Sequence, residues 1–348
     1  MSKILILGAG GIARETAVEL LSRNHEVHVG SRSGRWRGGV VPQEGAVLSP
    51  QEVAQLDRTI PGAAIIQRYE ILRNAELHVL NAADANYLSD ISTGFDVIIN
   101  AMNPKNYGEW AETWPPINKS VIEAASRHGL KLVITGNLYG YGKVTEPMTE
   151  STPLNPNGTK GQIRVKMWQD ALSAHHAGHV RAAEVRSSDY VGVGMDEQSY
   201  LGKFLIGPVS RGKTAWLPVG RKDAPHTWTS VRDAGRLIAR IAELPDSDPA
   251  WGHPWHTPSA PALSFQEVAD QVAEMTGQST PGVREVPQAG IKAMSLFMPI
   301  LRELEETKHQ FENPFIMDDS KAREYFGMSE TPWEETLREV LGGGSWLG

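Results

Sequence analysis

Apolar residues first gather in a continuous run over residues 4–7 that stops at Gly8, the pattern of a strand buried on both faces. Ala13, Ala17, Leu20 and Leu21 then recur at spacings of four, three and one, which predicts one face of a helix. Residues 26–29, 76–80, 97–100 and 130–135 read as further strands, with a helix over 121–128 before the last. Strands alternating with helices predict an α/β fold, a doubly wound parallel sheet with right-handed crossovers. Residues 35–75 break the rhythm and read as an insertion. Residues 139–159, rich in Gly, Pro, Asn and Thr, read as a loop, followed by a helix over 163–176 and a strand over 180–186. Past residue 190 the alternation gives way to Pro- and Gly-punctuated segments carrying Trp216, Trp228, Trp251 and Trp255. Helical patterns return over 263–275 and around 301–306. There is no internal repeat and no low-complexity tract.

Composition narrows the chemistry. Of 348 residues, 34 are Lys or Arg and 41 are Asp or Glu, a formal net charge of −7. That balance offers no broad surface for a polyanion, so nucleic acid is not expected as a partner. No cysteine is present, which excludes disulfides, thiolate nucleophiles and cysteine-ligated metals. No apolar run approaches the ~20 residues that cross a bilayer, and the chain runs from Lys3 straight into a strand pattern. No membrane association is expected, and the cytoplasm is the expected location. His175, His176 and His179 share a helix end but lack a third ligand or a His-Glu-x-x-His arrangement. No metal site is expected from them. Glu303, Glu305 and Glu306 read as a solvated helix face.

Residues 4–13 read Ile-Leu-Ile-Leu-Gly-Ala-Gly-Gly-Ile-Ala. Gly8, Gly10 and Ala13 fit the G-x-G-x-x-G/A pattern between a strand and a helix. Gly8 permits the tight turn, Gly10 admits a pyrophosphate to the backbone, and small Ala13 lets the helix lie close to the sheet. The helix start, with Gly11 and Ile12, offers unpaired N–H groups to phosphates. The fold expected is therefore a Rossmann sheet that binds a dinucleotide. A site for NAD usually has Asp or Glu at the end of the second strand, whereas this chain has Ser31, Arg32 and Ser33, followed by Arg35 and Arg37. An arginine there can pair with a 2′-phosphate, so NADP is expected rather than NAD.

With these motifs the chain resembles the short-chain dehydrogenase/reductase superfamily, in its extended and atypical epimerase/dehydratase-like branch. The resemblance takes in the glycine turn, Ala83-Asp84 after a strand, Asn100-Ala101 closing the fourth strand, and Thr135 shortly before Leu138-Tyr139-Gly140. It continues through the acidic loop from Pro147 to Leu154, the segment from Arg186 to Gly192, and Val231-Arg232-Asp233. It implies Asp84 near an adenine, Asn100, Ala101 and Met102 beside the cofactor, and Thr135 in the family's Ser/Thr position. It also implies an NADP-binding lobe of residues 1–189, to which 225–257 return, and a smaller substrate lobe made of 190–224 and 258–348.

The chain departs from the family at its Tyr-x-x-x-Lys pair, where Tyr is the general acid/base and Lys lowers its pKa. Lys160 and Arg164 stand there instead, still one helical turn apart. Three readings stay open: Lys160 as a displaced acid, with Arg164 tuning it or holding ribose; Tyr139 or Tyr141 as proton donor; or a site that binds cofactor without turnover. Met102, Asn103 and Pro104, with Tyr107, Trp110 and Trp114, follow the fourth strand into the crevice where open α/β sheets bind ligands. Asn103, Tyr141, Tyr190, His226 and Trp228 are expected to face the substrate. The expected function is an NADP-dependent oxidoreductase acting on a carbonyl or alcohol of a small molecule, as a monomer or homodimer. Its alternatives are epimerisation or dehydration by transient oxidation, and a non-catalytic redox sensor.

Overall fold

A computed structural model describes residues 1–36, 65, 67–104, 107–195, 199–279, 282–287, 291 and 304–342. Its first half alternates β1 (Lys3–Leu7), α1 (Gly11–Ser22), β2 (Glu26–Ser31), β3 (Glu76–Val79), α2 (Ala85–Ile91), β4 (Val97–Asn100), α3 (Trp110–His128), β5 (Lys131–Asn137), α4 (Thr159–His176) and β6 (Arg181–Ser187). Short strands β7 (Asp189–Val191), β8 (Ala215–Leu217) and β9 (Trp228–Ser230) come next, then α5 (Val231–Ala242), β10 (Pro254–His256), α6 (Phe265–Thr276), β11 (Val283–Glu285), α7 (Ser320–Phe326) and α8 (Trp333–Gly342).

Seven strands form the main sheet in the order β10-β6-β5-β4-β1-β2-β3, and every pairing in it is parallel. Residues 4–7 of β1 are fully buried, and their alternation sends them to two cores. Ile4 and Ile6 join α1 and α5 on one face, while Leu5 and Leu7 meet α2, α3 and α4 on the other. That is the doubly wound Rossmann arrangement expected from the continuous apolar run. α5 lies against α1 at Gly235, where a Cβ would come within 2.7 Å of the Glu15 backbone. A third core gathers Tyr200, Leu205, Trp228, Phe265, Val268, Phe311, Leu337 and neighbours, while Ala322 and Phe326 of α7 pack with the sheet.

Three expectations need correction. The helix expected over 121–128 starts at Trp110 and runs through Pro115 and Pro116, because Trp110 and Trp114 bury its first turns. β10 and the two small pairs β7–β9 and β8–β11 have only three residues per strand, too few for a period-2 pattern to show. Within the insertion, Ile65, Tyr69 and Leu72 pack into the sheet's core; Arg37 and most of its length fall outside the described residues, as do Glu303 and residues 301–302 of the expected helix. Among the described residues, no helix is long and apolar enough to cross a membrane.

Candidate functional site

β1 ends against the end of β4. Gly8 has φ +111° and a Cβ there would lie 2.7 Å from the Ala101 carbonyl oxygen, so the turn requires glycine. Its N–H donates to Gly30 O at 2.8 Å, fixing the turn to β2. Gly10 is extended, with φ −88° and ψ −171°, and precedes α1, which has neither a side-chain cap nor an acidic residue in its first turn. Nothing lies within 4 Å of the Cβ position at Gly10. The helix's N–H groups therefore open onto free space beside Gly10, Gly11 and Ile12, a cradle for an anion. Ala13 is fully buried and packs the helix onto the core.

This cradle is one end of a cleft of about 720 Å³ at the C-terminal ends of the strands. Ser31, Arg32 and Ser33 line that end together with residues 80–83. Arg32 is exposed, and the buried Ser31 Oγ has no hydrogen-bond partner among the described residues. An open glycine cradle, an unsatisfied hydroxyl and a cation at the end of β2 fit a dinucleotide. Ala101 and Met102 also line the cleft. Asn100 lies behind them, its Oδ1 accepting the Met102 N–H at 3.2 Å. Asp84, expected near an adenine, does not line the cleft as its neighbour Ala83 does; its carboxylate caps α2 by accepting the Tyr87 N–H at 3.1 Å.

Thr135, Tyr139, Arg164, Asn103 and Tyr190 meet at the other end. Arg164 donates to Thr135 O and to Asn103 Oδ1, both at 3.2 Å. Its guanidinium lies 4.8 Å from the Trp110 ring centre and 4.6 Å from that of Trp114, a stacked position that suits the planar group of arginine. Thr135 Oγ1 and the Tyr190 hydroxyl are buried with no partner at hydrogen-bond geometry among the described residues. Burial pushes the Tyr190 phenol up to about 12, with nearby Ser187 and Arg164 working the other way. Two buried hydroxyls without partners, facing one cleft beside a cation, form a site that a polar ligand atom completes.

Residues 4–253 match the profile of the NAD dependent epimerase/dehydratase family. The chain belongs to that family. No curated protein sequence matched it. Among solved structures it is similar to the UDP-glucose 4-epimerase of Thermotoga maritima, at 14% identity and TM-score 0.69 over 97% of each chain. A dTDP-glucose 4,6-dehydratase from Bacillus anthracis, solved in complex with NAD, is similar at 15% identity and TM-score 0.72, over 98% of this chain and 96% of that one. The UDP-glucuronic acid 4-epimerase of Bacillus cereus, with UDP-glucuronic acid and NAD, is similar at 16% identity and TM-score 0.70 over 98% of each chain. At such identities the likeness concerns the fold.

In this member of the epimerase/dehydratase family, several residues expected in the site lie outside the cleft. Lys160 is buried against Glu306, whose carboxylate accepts the Lys160 backbone N–H at 2.6 Å and its Nζ at 3.5 Å. Glu306 thus fills the start of α4 and turns inward, where a solvated face was expected, so Lys160 is held away from the reacting end. Tyr141 accepts from Arg186 Nη1 at 2.8 Å and donates to His256 Nε2 at 2.7 Å, a buried strut beneath the cleft. Burial pushes its phenol up to about 12. His226 contacts Asp189 at 3.0 Å and the Gln310 carbonyl at 3.0 Å. Trp228 donates to Leu263 O at 2.9 Å from inside the third core. Both build the wall rather than its surface. His175 accepts the Ala182 N–H at 3.4 Å and ties α4 to β6. The Tyr107 side chain lies outside the described residues.

Sequence reasoning missed Thr113, Pro116 and Ile117 on α3, and Met195, Tyr200, Gln310 and Phe315, all of which line the cleft. Met195, whose Sδ lies 2.9 Å from where a Cβ on Gly11 would stand, gave no sign in the sequence of its place against the glycine turn. Gln310 and Phe315 reach the site from more than a hundred residues downstream and carried none.

Proposed function

We propose that the chain is an NADP-dependent oxidoreductase acting on a carbonyl or alcohol carbon of a small molecule. The observation that carries this is the single cleft with an anion cradle at one end and the Thr135–Tyr190–Arg164 group at the other. When bound, the dinucleotide supplies or accepts the hydride. The N–H groups of residues 10–12 would hold its pyrophosphate, and Arg32 would pair with the 2′-phosphate, opposed by no acid at the end of β2. Thr135 Oγ1 donates to the substrate oxygen. Tyr190, a phenol that is protonated at neutral pH and that burial holds further in that form, gives that oxygen its proton during reduction. Arg164 favours the phenolate left behind, the task that lysine has in the family's usual pair. Tyr139 also lines the cleft and is the competing donor. Trp110, beneath Arg164 at the cleft wall, makes intrinsic fluorescence a reporter of occupancy.

Two experiments test this reading. Fluorescence titration should give tighter binding of NADPH than of NADH. Incubation with NADPH and a panel of aldehydes and ketones should then consume NADPH in proportion to alcohol formed, a net redox change that transient oxidation within an epimerase does not produce. Binding of neither nucleotide would overturn the proposal, as would binding without turnover across the panel.

A further inference from the structure

The chain carries the same four-residue pattern twice, Glu26-Val27-His28-Val29 and Glu76-Leu77-His78-Val79. The two copies lie on adjacent strands, with His28 of β2 opposite Glu76 of β3 and Gly30 opposite His78. Strand side chains alternate between faces, so Glu26, His28, Glu76 and His78 all project from one face at the sheet's edge. His28 is buried, with its ring edge-on to Phe95 at 4.9 Å. Its Nε2 lies 2.8 Å from a Glu26 oxygen, and its Nδ1 lies 2.8 Å from His78 Nε2. The Glu76 carboxylate lies 3.5 Å from each of these two nitrogens. Lys3 pairs with Glu26 at 2.8 Å.

We propose that His28 Nδ1, His78 Nε2 and Glu76 form a binding site for a divalent transition metal of the zinc type, with Glu26 as the group that orients His28. Glu26 holds the proton on Nε2, which leaves Nδ1 as a lone pair aimed at the other two donors. A carboxylate, a histidine and a metal in series is the usual arrangement at such centres. Two imidazoles and a carboxylate suit zinc or cobalt better than the hard cations, which prefer all-oxygen sites. Tetrahedral binding at about 2.0–2.1 Å sets ligand atoms roughly 3.3 Å apart. Each 3.5 Å spacing is made by a different Glu76 oxygen, so this exposed carboxylate has to turn to bring one oxygen to both nitrogens. His78, partly exposed on the edge strand, has to swing out by about half an ångström. Three protein ligands leave a fourth position for water. The ion would clasp β3 to β2 across the ends of the excursion from Arg32 to Ala75. The site lies three residues, roughly 10 Å, before Ser31 of the cleft, and is independent of the reaction proposed above.

The test uses full-length protein without an affinity tag, stripped with chelator and titrated with zinc by calorimetry and with cobalt by visible absorption. One equivalent per chain is expected, with the intense visible bands of tetrahedral cobalt and a melting temperature raised by zinc. His78→Gln and Glu76→Gln should each weaken binding at least tenfold, and the double variant His175→Gln/His179→Gln should leave it unchanged. Both single substitutions lie at the sheet edge, and matched melting temperatures in chelator verify each fold, either one being enough to decide. Sub-stoichiometric binding, or an affinity unmoved by the edge substitutions, overturns the proposal.

Discussion

Gly8 and Gly10 stand two residues apart and respond to alanine in opposite ways. At Gly8 the methyl group meets the Ala101 carbonyl and the backbone is in a region that alanine rarely adopts. Gly8→Ala is therefore expected to cost at least about 1–3 kcal/mol, read as a fall in denaturant midpoint. At Gly10 the methyl meets no other atom of the protein, so Gly10→Ala keeps its stability within about 0.5 kcal/mol and loses NADPH affinity. Equal destabilisation by both would contradict the placing of the phosphate. Arg32→Ala removes a charge-assisted contact of about 1.5–3 kcal/mol, so NADPH affinity should fall roughly 10- to 100-fold while NADH binding stays constant. Tyr190→Phe deletes a buried hydroxyl that has no partner at hydrogen-bond geometry among the described residues. It should leave the melting temperature equal or higher, while kcat falls about 10²- to 10⁴-fold. If Tyr139→Phe produces that loss and Tyr190→Phe does not, the donor is Tyr139.

α4 shows how far the elements were legible. The i, i+4 spacing of Lys160 and Arg164 placed both on one helix, and they do occupy it. Only Arg164 reaches the cleft, because Lys160 lies in the first turn, where Glu306 takes its N–H and its ammonium. Nothing near residue 160 announces a partner so distant in sequence. The strands of the main sheet were legible for the opposite reason, since burial on both faces leaves unbroken apolar runs such as residues 4–7 and 97–99. The small strands of the third core are too short to carry a period. α6 lay within two residues of its expected bounds on its apolar pattern alone; Ser264 and Glu267 cap it reciprocally, a signal confined to four residues that would have placed its start. Glu306→Ala should cost about 0.5–2 kcal/mol, the range for losing a helix cap, with NADPH affinity unchanged; a parallel loss of affinity would return Lys160 to the reaction.

For the molecule as a whole, acid should act through β10. His256 is buried between the Tyr141 hydroxyl and the Asp318 carbonyl, and its backbone N–H donates to Glu150 at 3.0 Å. Burial lowers its pKa to about 4, with Arg186 acting the same way. In the unfolded chain the value is about 6.5. Between these limits the unfolded chain binds a proton that the folded chain refuses, so stability falls as the pH drops from about 6.5 to about 4. The loss is about 3 kcal/mol over that window. Denaturant melts at several pH values should show this slope, and His256→Gln should flatten it; an equal slope in both proteins would place the titration elsewhere.

The order in which the sheet is covered also governs how the protein is born. Ile4, Ile6 and Ile99 occupy the face that Leu237, Ile238 and Ile241 of α5 help to close. At a translation rate of about 5–20 residues per second, that face waits roughly 10–50 s for its lid to be made. During this interval a nascent chain shows the exterior an oily, half-finished sheet. Newly made protein should therefore lean on chaperones at the ribosome far more than the finished molecule does after dilution from denaturant.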